Sequence, residues 1–569
     1  SSTINNLDTS GANIPELADG MIPIRYNGST WVKADSTNSN STHQWYDYNA
    51  KKWANAVMIN NSFLYDKSGS GNNSLVSGAT SSTAGLTFDG SDDYVQIPTD
   101  LGVTLPATYT VRFKTTSTAN QIIFGDYTTK AALGLYSSNS SLIVILGSTA
   151  TNIFNTGGLS LNTFYTVTLV YNSLTDVKAY LNGTELTKST STNNWSWGDT
   201  NSYIGKRSDG TYFAGTISNF IVHNKAVTTS EVTSLANNQV PTDSLKLNYD
   251  FTTTTRSQFM DASLGTIVPE DAILAYYVWI PRYKYQLFNV ESTTMDPIEI
   301  QVTFEGKNVT KSSGTANGDW LTHPAFTFGT DELSGIWVGK FEITGSASSP
   351  TIKPGLNILT STNVYTHFSV SQQFGTATYL NNMGVSQVDA HLMKNIEWGA
   401  VAYLKQSKYG LGLTNIAVNN DNSRITGGGS GLSYVTNVNQ TTTGNIYGIY
   451  DMSGGSDENV MAASLESGNT SIGYSSSGFT TDTLPFNSKY LDQYNYGSYN
   501  DYTRSILGDA MGETTGWYGD ANRLTYGTYT WITRGGWSAS GDSAGIFYFW
   551  VTMGADDGGN GARSTIAVY

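Results

Sequence analysis

TTGNIYGIYDMSGGSDENVMA, Thr442–Ala462, is the most distinctive string in this 569-residue chain. The sequence around it, from about 251 to 569, mixes strands, loops and at least one helix. AYYVWIPRYKYQLF (275–288), IEIQVTFEG (298–306) and SGIWVGKFEITG (334–345) read as strands. VDAHLMKNIEWGAVAYLKQSKYG (388–410) reads as a helix: Leu392, Ile396, Ala400 and Leu404 recur every fourth residue, with Met393 and Val401 beside them. That spacing gives one broad apolar stripe. RITGGGSGLSY (424–434) and SGNTSIGYSSSGF (467–479) read as long loops of the kind that serve function or pack on themselves.

Upstream the pattern changes. From about 61 to 250 short strand-like runs alternate with turns, as in GLTFDG, DYVQIP, YTVRFKT, SLIVIL, FYTVTLVYN and GTISNFIVHNKAV. Regularly spaced strands of this kind predict a two-sheet sandwich. Thr228 or Thr229, with Glu231 close behind, marks the start of a short helix. Residues 1–60 read as a small aromatic-rich β unit. DGMIPIRYNGSTWVKAD (19–35) alternates around Asn27-Gly28, a hairpin signal. Trp45, Tyr46, Tyr48 and Trp53 follow; they are expected to pack on the next domain, with a sugar-stacking platform as the alternative.

Composition limits the function classes. Net charge is −15, from 30 basic and 45 acidic residues, and no Lys/Arg run supplies the basic face that nucleic acid needs. The chain has no Cys, so disulfides, thiolate metal sites and Cys nucleophiles are excluded. No apolar run approaches the ~20 residues of a membrane-spanning helix. The polar opening at Ser1 reads as a mature or trimmed ectodomain, with any anchor or assembly helix expected before it. The abundance of uncharged polar residues points to an extracellular or bacterial cell-surface setting.

Three motifs in 61–250 resemble the laminin-G-like, concanavalin-type jelly-roll family: YDKSGSGNNSLVSGAT (65–80), GLTFDGSDDYVQIP (85–98) and GTISNFIVHNKAVTTSEVTSLAN (215–237). Such domains often bind glycans or proteins, sometimes through Ca²⁺. Asp89, Asp92, Asp93 and Asp126 have the right ligand chemistry, although DGSDD serves equally well as a plain turn. No other cofactor is expected.

The opening string resembles the formylglycine-generating-enzyme-like branch of the C-type lectin fold. Gly444, Asn445, Gly448, Tyr450, Asp451, Met452, Gly454 and Glu458 match its signature; Asn459 stands where that branch has Trp. Met393, Glu397 and Trp398 match its helix motif, Gly339–Thr344 its strand, and Arg534, Gly535, Gly536 and Arg563 its closing elements. The expected architecture is therefore multidomain: a small N-terminal β unit (1–60), an all-β jelly-roll sandwich (61–250), and an α+β C-type lectin fold domain (251–569).

The catalytic members of that branch oxidise a substrate cysteine with copper held by active-site cysteines, which this chain lacks. Its His residues (43, 223, 323, 367 and 391) show no HxH or HExxH spacing, and His391 is expected on the helix, packed or exposed. Gly428–Ser433 lacks the context of a nucleophile elbow. No catalytic residue or metal site is therefore expected. A non-catalytic use of this fold is display by the variable proteins of diversity-generating retroelements, whose C-terminal residues are substituted by adenine mutagenesis.

The C-terminal stretch Arg534–Tyr569 fits such a use. AGIFYF (544–549) and STIAVY (564–569) alternate like strands expected in the central sheet, while the residues between are irregular. The resemblance implies that Gly444, Asn445, Asp451, Met452, Arg534, Gly535, Gly536 and Arg563 are scaffold. It implies a variable ligand face of Trp537, Ser538, Ser540, Asp542, Tyr548, Trp550, Val551, Thr552, Asp556, Asp557 and Asn560. Adenine-mutagenised AAY codons cannot yield Trp or Met, so Trp537, Trp550 and Met553 would be fixed anchors or come from another codon. The ligand is expected to be a protein or glycan on another cell, a virus or a host surface. The alternatives are a carbohydrate-binding adhesin acting through the jelly roll, and a phage receptor-binding protein.

Overall fold

Alternating burial along long strands builds the first of two compact units, Asn61–Gln258. A computed structural model describes residues 6–98, 101–125, 131–146, 150–191, 202–381, 387–468, 471–473 and 476–569. In Asn61–Gln258 a nine-stranded and an eight-stranded sheet share one apolar core. The Ala107–Thr115, Tyr165–Ser173 and Ala214–His223 strands of the eight-stranded sheet send Val111, Phe113, Val167, Leu169, Phe220 and Val222 into it. Phe124, Leu133, Leu135, Leu142 and Val144 enter from the other sheet. On the outer face of the eight-stranded sheet, Val170, Tyr180 and Ile221 pack against Val232 and Leu235 of the Thr229–Ala236 helix. Thr228 caps that helix in a reciprocal capping box with Glu231, as the sequence signals.

The second unit comprises Ser1–Asn60 and Phe259–Tyr569. Its main sheet has seven strands, in the spatial order Trp31–Lys33, Met21–Tyr26, Asn55–Ile59, Ile273–Pro281, Gly335–Gly339, Ser564–Val568 and Val388–Leu392. This corrects the reading of residues 1–60 as a unit of their own. Their hairpin forms as expected, Tyr26 opposite Trp31, but Asn55–Ile59 pairs with Ile273–Pro281, more than 200 residues later. Trp45, Tyr46, Tyr48 and Trp53 are each no more than 1% exposed, so they form no sugar platform. Tyr48 donates from its hydroxyl to Trp279 O (2.6 Å), and Trp53 Nε1 donates to Tyr409 O (2.8 Å). Burying aromatics of this size removes about 150–250 Å² each from water, which outweighs the ordering of two side-chain torsions.

The 388–410 stretch is also corrected. Val388–Leu392 is a strand paired with Ser564–Val568, and only Asn395–Lys405 is helical. The apolar period that favours a helix holds from Ile396 onward, whereas Val388, Ala390 and Leu392 alternate as a strand requires. Glu397 accepts the Lys394 backbone N–H at 2.8 Å, which fixes the helix start. His391 therefore lies on the strand, fully buried, between Asp389 (3.1 Å) and Glu397 (2.8 Å). Burial lowers its pKa, but the Glu397 and Asp389 carboxylates outweigh that and raise it to about 9.

The tail strands also separate. Ser564–Val568 lies in the main sheet, but Gly545–Thr552 belongs to a five-stranded sheet with Trp531–Gly535, Asp457–Ser464, Asp492–Tyr494 and Asn560–Ala562. One face of this second sheet packs Val460, Ala462, Ile532 and Phe549 against Met511 and Leu524.

Candidate ligand-binding face

The tail is anchored by two buried arginines. Arg563 donates Nε to Glu458 Oε1 (2.8 Å) and Nη2 to Glu458 Oε2 (3.0 Å), and its remaining N–H groups reach Gly339 O and Tyr450 O, both at 2.9 Å. Arg534 donates to Tyr548 O, Asn395 Oδ1, Asp509 O and Ala510 O, each at 2.8 Å, and lies over the Trp398 ring. A guanidinium whose fork is filled by fixed carbonyls holds several segments in one geometry.

The opening string supplies the rest of this frame. Asp451, at φ 63°, accepts from Asn419 Nδ2 (2.9 Å), Gly427 N (2.7 Å) and Thr426 Oγ1. Asn445 donates to Lys51 O and accepts from Tyr447 N, both at 2.9 Å, while Gly444 turns the chain at φ 74° and Met452 is fully buried. Gly535 and Gly536 have φ of 86° and 72°, and a Cβ on Gly536 would sit 2.8 Å from Ala544 Cβ.

Above the frame, Trp537 is 38% exposed, with the Arg424 guanidinium 5.3 Å from its ring. A 3-10 turn over Ser538–Ser543 follows, with Asp542 exposed and Ser540 half-buried. On the Gly545–Thr552 strand, Tyr548 and Trp550 stack at 6.4 Å, and the Arg523 guanidinium lies 4.6 Å from the Trp550 ring. Trp550 and Thr552 are half-buried, and Asp556 and Asp557 are exposed. Asp557 fixes its own turn by accepting Gly559 N at 2.6 Å.

Other tail positions lie inside. Ser538 (4% exposed), Tyr548 (6%), Val551 (9%) and Asn560 (6%) are buried, which corrects their reading as solvent-facing. Val551 faces inward opposite Ile532, and Asn560 Nδ2 reaches Asn459 Oδ1 at 3.4 Å. Ser538 is tied by its backbone N–H to Gly455 O (2.9 Å). Tyr548 lies beside the Asp457 carboxyl, whose pKa burial raises to about 7, with the Asp557 charge adding to the shift. The pairing of this strand with Trp531–Gly535 is regular from Thr552 to Phe549 and shifts between Arg534 and Gly535.

Sequence reasoning missed the basic and aromatic neighbours of the face. Arg523 also lies 5.3 Å from the ring of Tyr499, which is 49% exposed, and the Tyr526 and Tyr529 rings continue the patch at 5.5 Å. The spacing of Tyr526 and Tyr529 in LTYGTYTW was the available signal. Arg424 and Arg523 sit in loops, where no periodicity marks them.

In the sandwich unit, the Asp89, Asp92 and Asp93 carboxylates offer oxygens within 4.8 Å of one another. They also serve the turn: Asp93 Oδ2 accepts Asp89 N (2.9 Å), and Asp89 Oδ1 accepts Ser91 N (2.7 Å). Burial raises the Asp93 pKa, and the charges of Asp89 and Asp92 add to it. Asp126, the fourth expected oxygen donor, lies outside the described residues.

With this geometry in hand, the chain can be set beside known proteins. Residues 89–233 match the family described as the concanavalin A-like lectin/glucanases superfamily. The jelly-roll reading of this segment is thereby supported. No curated protein matches the chain. Among solved structures, domain 4 of AbnA, a GH43 extracellular arabinanase from Geobacillus stearothermophilus in complex with arabinotriose, is 20% identical, over 27% of this chain and 76% of that one, with a TM-score of 0.23. A putative carbohydrate binding protein from Bacteroides ovatus is 20% identical over 29% of this chain and 50% of its own, with a TM-score of 0.24. The SAP-like pentraxin from Limulus polyphemus is 18% identical over 30% and 94%, also at 0.24. Likenesses this distant carry no conclusion about activity. No helix among the described residues is long and apolar enough to cross a membrane.

Proposed function

We propose that this is a non-catalytic ligand-binding protein of the outer bacterial surface, or of a phage, displaying a changeable face on a C-type lectin scaffold. In this reading the unit containing Phe259–Tyr569 belongs to the formylglycine-generating-enzyme-like branch, and its tail is diversified as in retroelement-encoded variable proteins. One observation carries it: the tail divides by burial. Arg534 and Arg563 are at most 1% exposed and hold the frame, while Trp537, Ser540, Asp542, Trp550, Thr552, Asp556 and Asp557 keep solvent access. Large aromatics among small polar groups give contact area with few torsions to freeze, plus adaptable hydrogen bonding, as in antibody paratopes. A rigid sheet beneath limits the ordering cost of binding. The proposed ligand is a protein or glycan on another cell, a virus or a host surface, with no nucleic acid and no catalysis.

A library randomised at those solvent-accessible positions tests this. Selection against unrelated protein targets should return specific binders whose melting temperatures stay close to the parent's. A library that yields only unfolded or non-binding members contradicts the reading.

A further inference from the structure

The Asn61–Gln258 unit carries a polar cavity of about 280 Å³ on the outer face of its eight-stranded sheet, beside the end of the Thr229–Ala236 helix. It lies in a different unit from the tail face. Its floor is a cross-strand row. Arg112, Asn219 and Asp250 stand opposite one another on three adjacent strands, and the buried Thr166 faces Arg112 from the next strand. Asn248, beside Ile221, adds to the polar lining with Asn238, Lys67, Ser218 and Thr252, and Ile221 and Val240 supply its apolar part.

The charges in this cavity are unequally matched. Asp250 is satisfied: Lys67 Nζ lies 3.3 Å from Oδ2, and Thr252 N (2.9 Å) and Oγ1 (2.6 Å) donate to Oδ1. Arg112 is not. Its guanidinium lies 4.9 Å from the Phe164 ring, and its one side-chain hydrogen bond among the described residues, to Thr166 Oγ1, is long at 3.5 Å. It has no carboxylate partner among the described residues.

The local backbone sets this up. A bulge at Ser218 interrupts the ladder between the Ala107–Thr115 and Ala214–His223 strands. Asn219 Oδ1 fills the gap by accepting Arg112 N at 3.0 Å, which commits its oxygen and leaves its NH₂ without a partner among the described residues. The side-chain amides of Asn238 and Asn248 also have no hydrogen-bond partner among the described residues. The row thus presents one uncompensated planar cation, several amides, and an ion pair at its end.

We propose that this cavity binds the carboxylate of an acidic sugar unit. The Arg112 fork matches a carboxylate in two parallel hydrogen bonds, while the asparagine amides and Asp250 meet ring hydroxyls. A volume near the lower end of the ~300–1,000 Å³ usual for small-molecule sites limits the ligand to one or two rings. A neutral sugar leaves the Arg112 charge unanswered, and a bare short-chain carboxylate leaves the amides unused.

The test is titration calorimetry on the full chain with sodium D-glucuronate, D-glucose and sodium acetate as probes. Glucuronate should bind, and the other two at least tenfold more weakly. Arg112→Gln and Arg112→Lys should each lose glucuronate by tenfold or more, because neither keeps the fork. Asn248→Ala should weaken it severalfold, and Trp537→Ala should leave it unchanged. Circular dichroism melts of each variant separate lost binding from lost folding. Absence of glucuronate binding, equal binding of glucose, or undiminished binding by folded Arg112→Gln overturns the proposal. So does loss of binding in Trp537→Ala.

Discussion

Arg563 grips Glu458 through two parallel hydrogen bonds, Nε to Oε1 at 2.8 Å and Nη2 to Oε2 at 3.0 Å, with both side chains shut away from water. The pair joins the main sheet to the second sheet, because Arg563 directly precedes the Ser564–Val568 strand and Glu458 lies on Asp457–Ser464. Removing one partner strands a buried charge, which typically costs 3–5 kcal/mol. Arg563→Ala is expected to destabilise the protein by about that amount, measured as a fall in the urea midpoint. Arg563→Lys should recover only part of the loss, since an ammonium cannot span both oxygens.

Gly536 gives a backbone test of the same frame. Its φ of 72° is unfavourable for an L-residue, and an added Cβ would press on Ala544 at 2.8 Å. Gly536→Ala should cost about 1–3 kcal/mol, whereas a serine scan of the exposed Asp542 and Asp556 should stay within about 0.5 kcal/mol. Thermal melts of the three variants check this.

Stability should depend on pH through buried carboxyls. Burial raises Asp520 to about 8 against the partly offsetting Phe547 N–H and Lys405 charge, and raises Glu513 to about 7. A raised acid holds a proton in the folded state that the unfolded chain has already released. Stability is therefore lost as pH rises from the unfolded value towards the folded one. His391, raised to about 9, acts in the same direction, its contribution fading as pH rises through 9. Burial lowers His367 to about 4 and His323 to about 3, so their neutral forms cost stability as pH falls below 6.5. The melting temperature should thus be higher at pH 6 than at pH 8.5. Asp520→Asn should shrink the stability difference between the two pH values by roughly 2 kcal/mol, at up to about 1.4 kcal/mol per pH unit. Melts of both proteins at the two pH values provide the comparison.

The buried tail positions separate from the exposed ones by experiment. Tyr548→Ala removes a ring that is 6% exposed and should cost about 3–5 kcal/mol, whereas Trp537→Ala should cost under about 1 kcal/mol. Denaturant titrations of the two variants decide whether burial sorts the tail as described.

Local chemistry was legible in the sequence; long-range pairing was not. The Asn27-Gly28 hairpin and the Thr228–Glu231 capping box depend on neighbouring residues, and both form. The pairing of Asn55–Ile59 with Ile273–Pro281 crosses the entire sandwich segment and leaves no local trace. Val388–Leu392 was masked by the strong helical period that begins immediately after it. At the candidate face, the buried arginines follow from the motif that holds them. Val551 turns inward by strand alternation with Phe549, whereas Tyr548 is buried on the Trp550 face beside the distant Asp457, a long-range contact that no residue pattern announces.

The most direct measurement is sequencing sibling copies of this gene from one population. Substitutions should concentrate at solvent-accessible codons between 537 and 557, with Arg534, Gly535, Gly536 and Arg563 unchanged. Substitutions spread evenly over the chain, or concentrated at those buried frame residues, would contradict it.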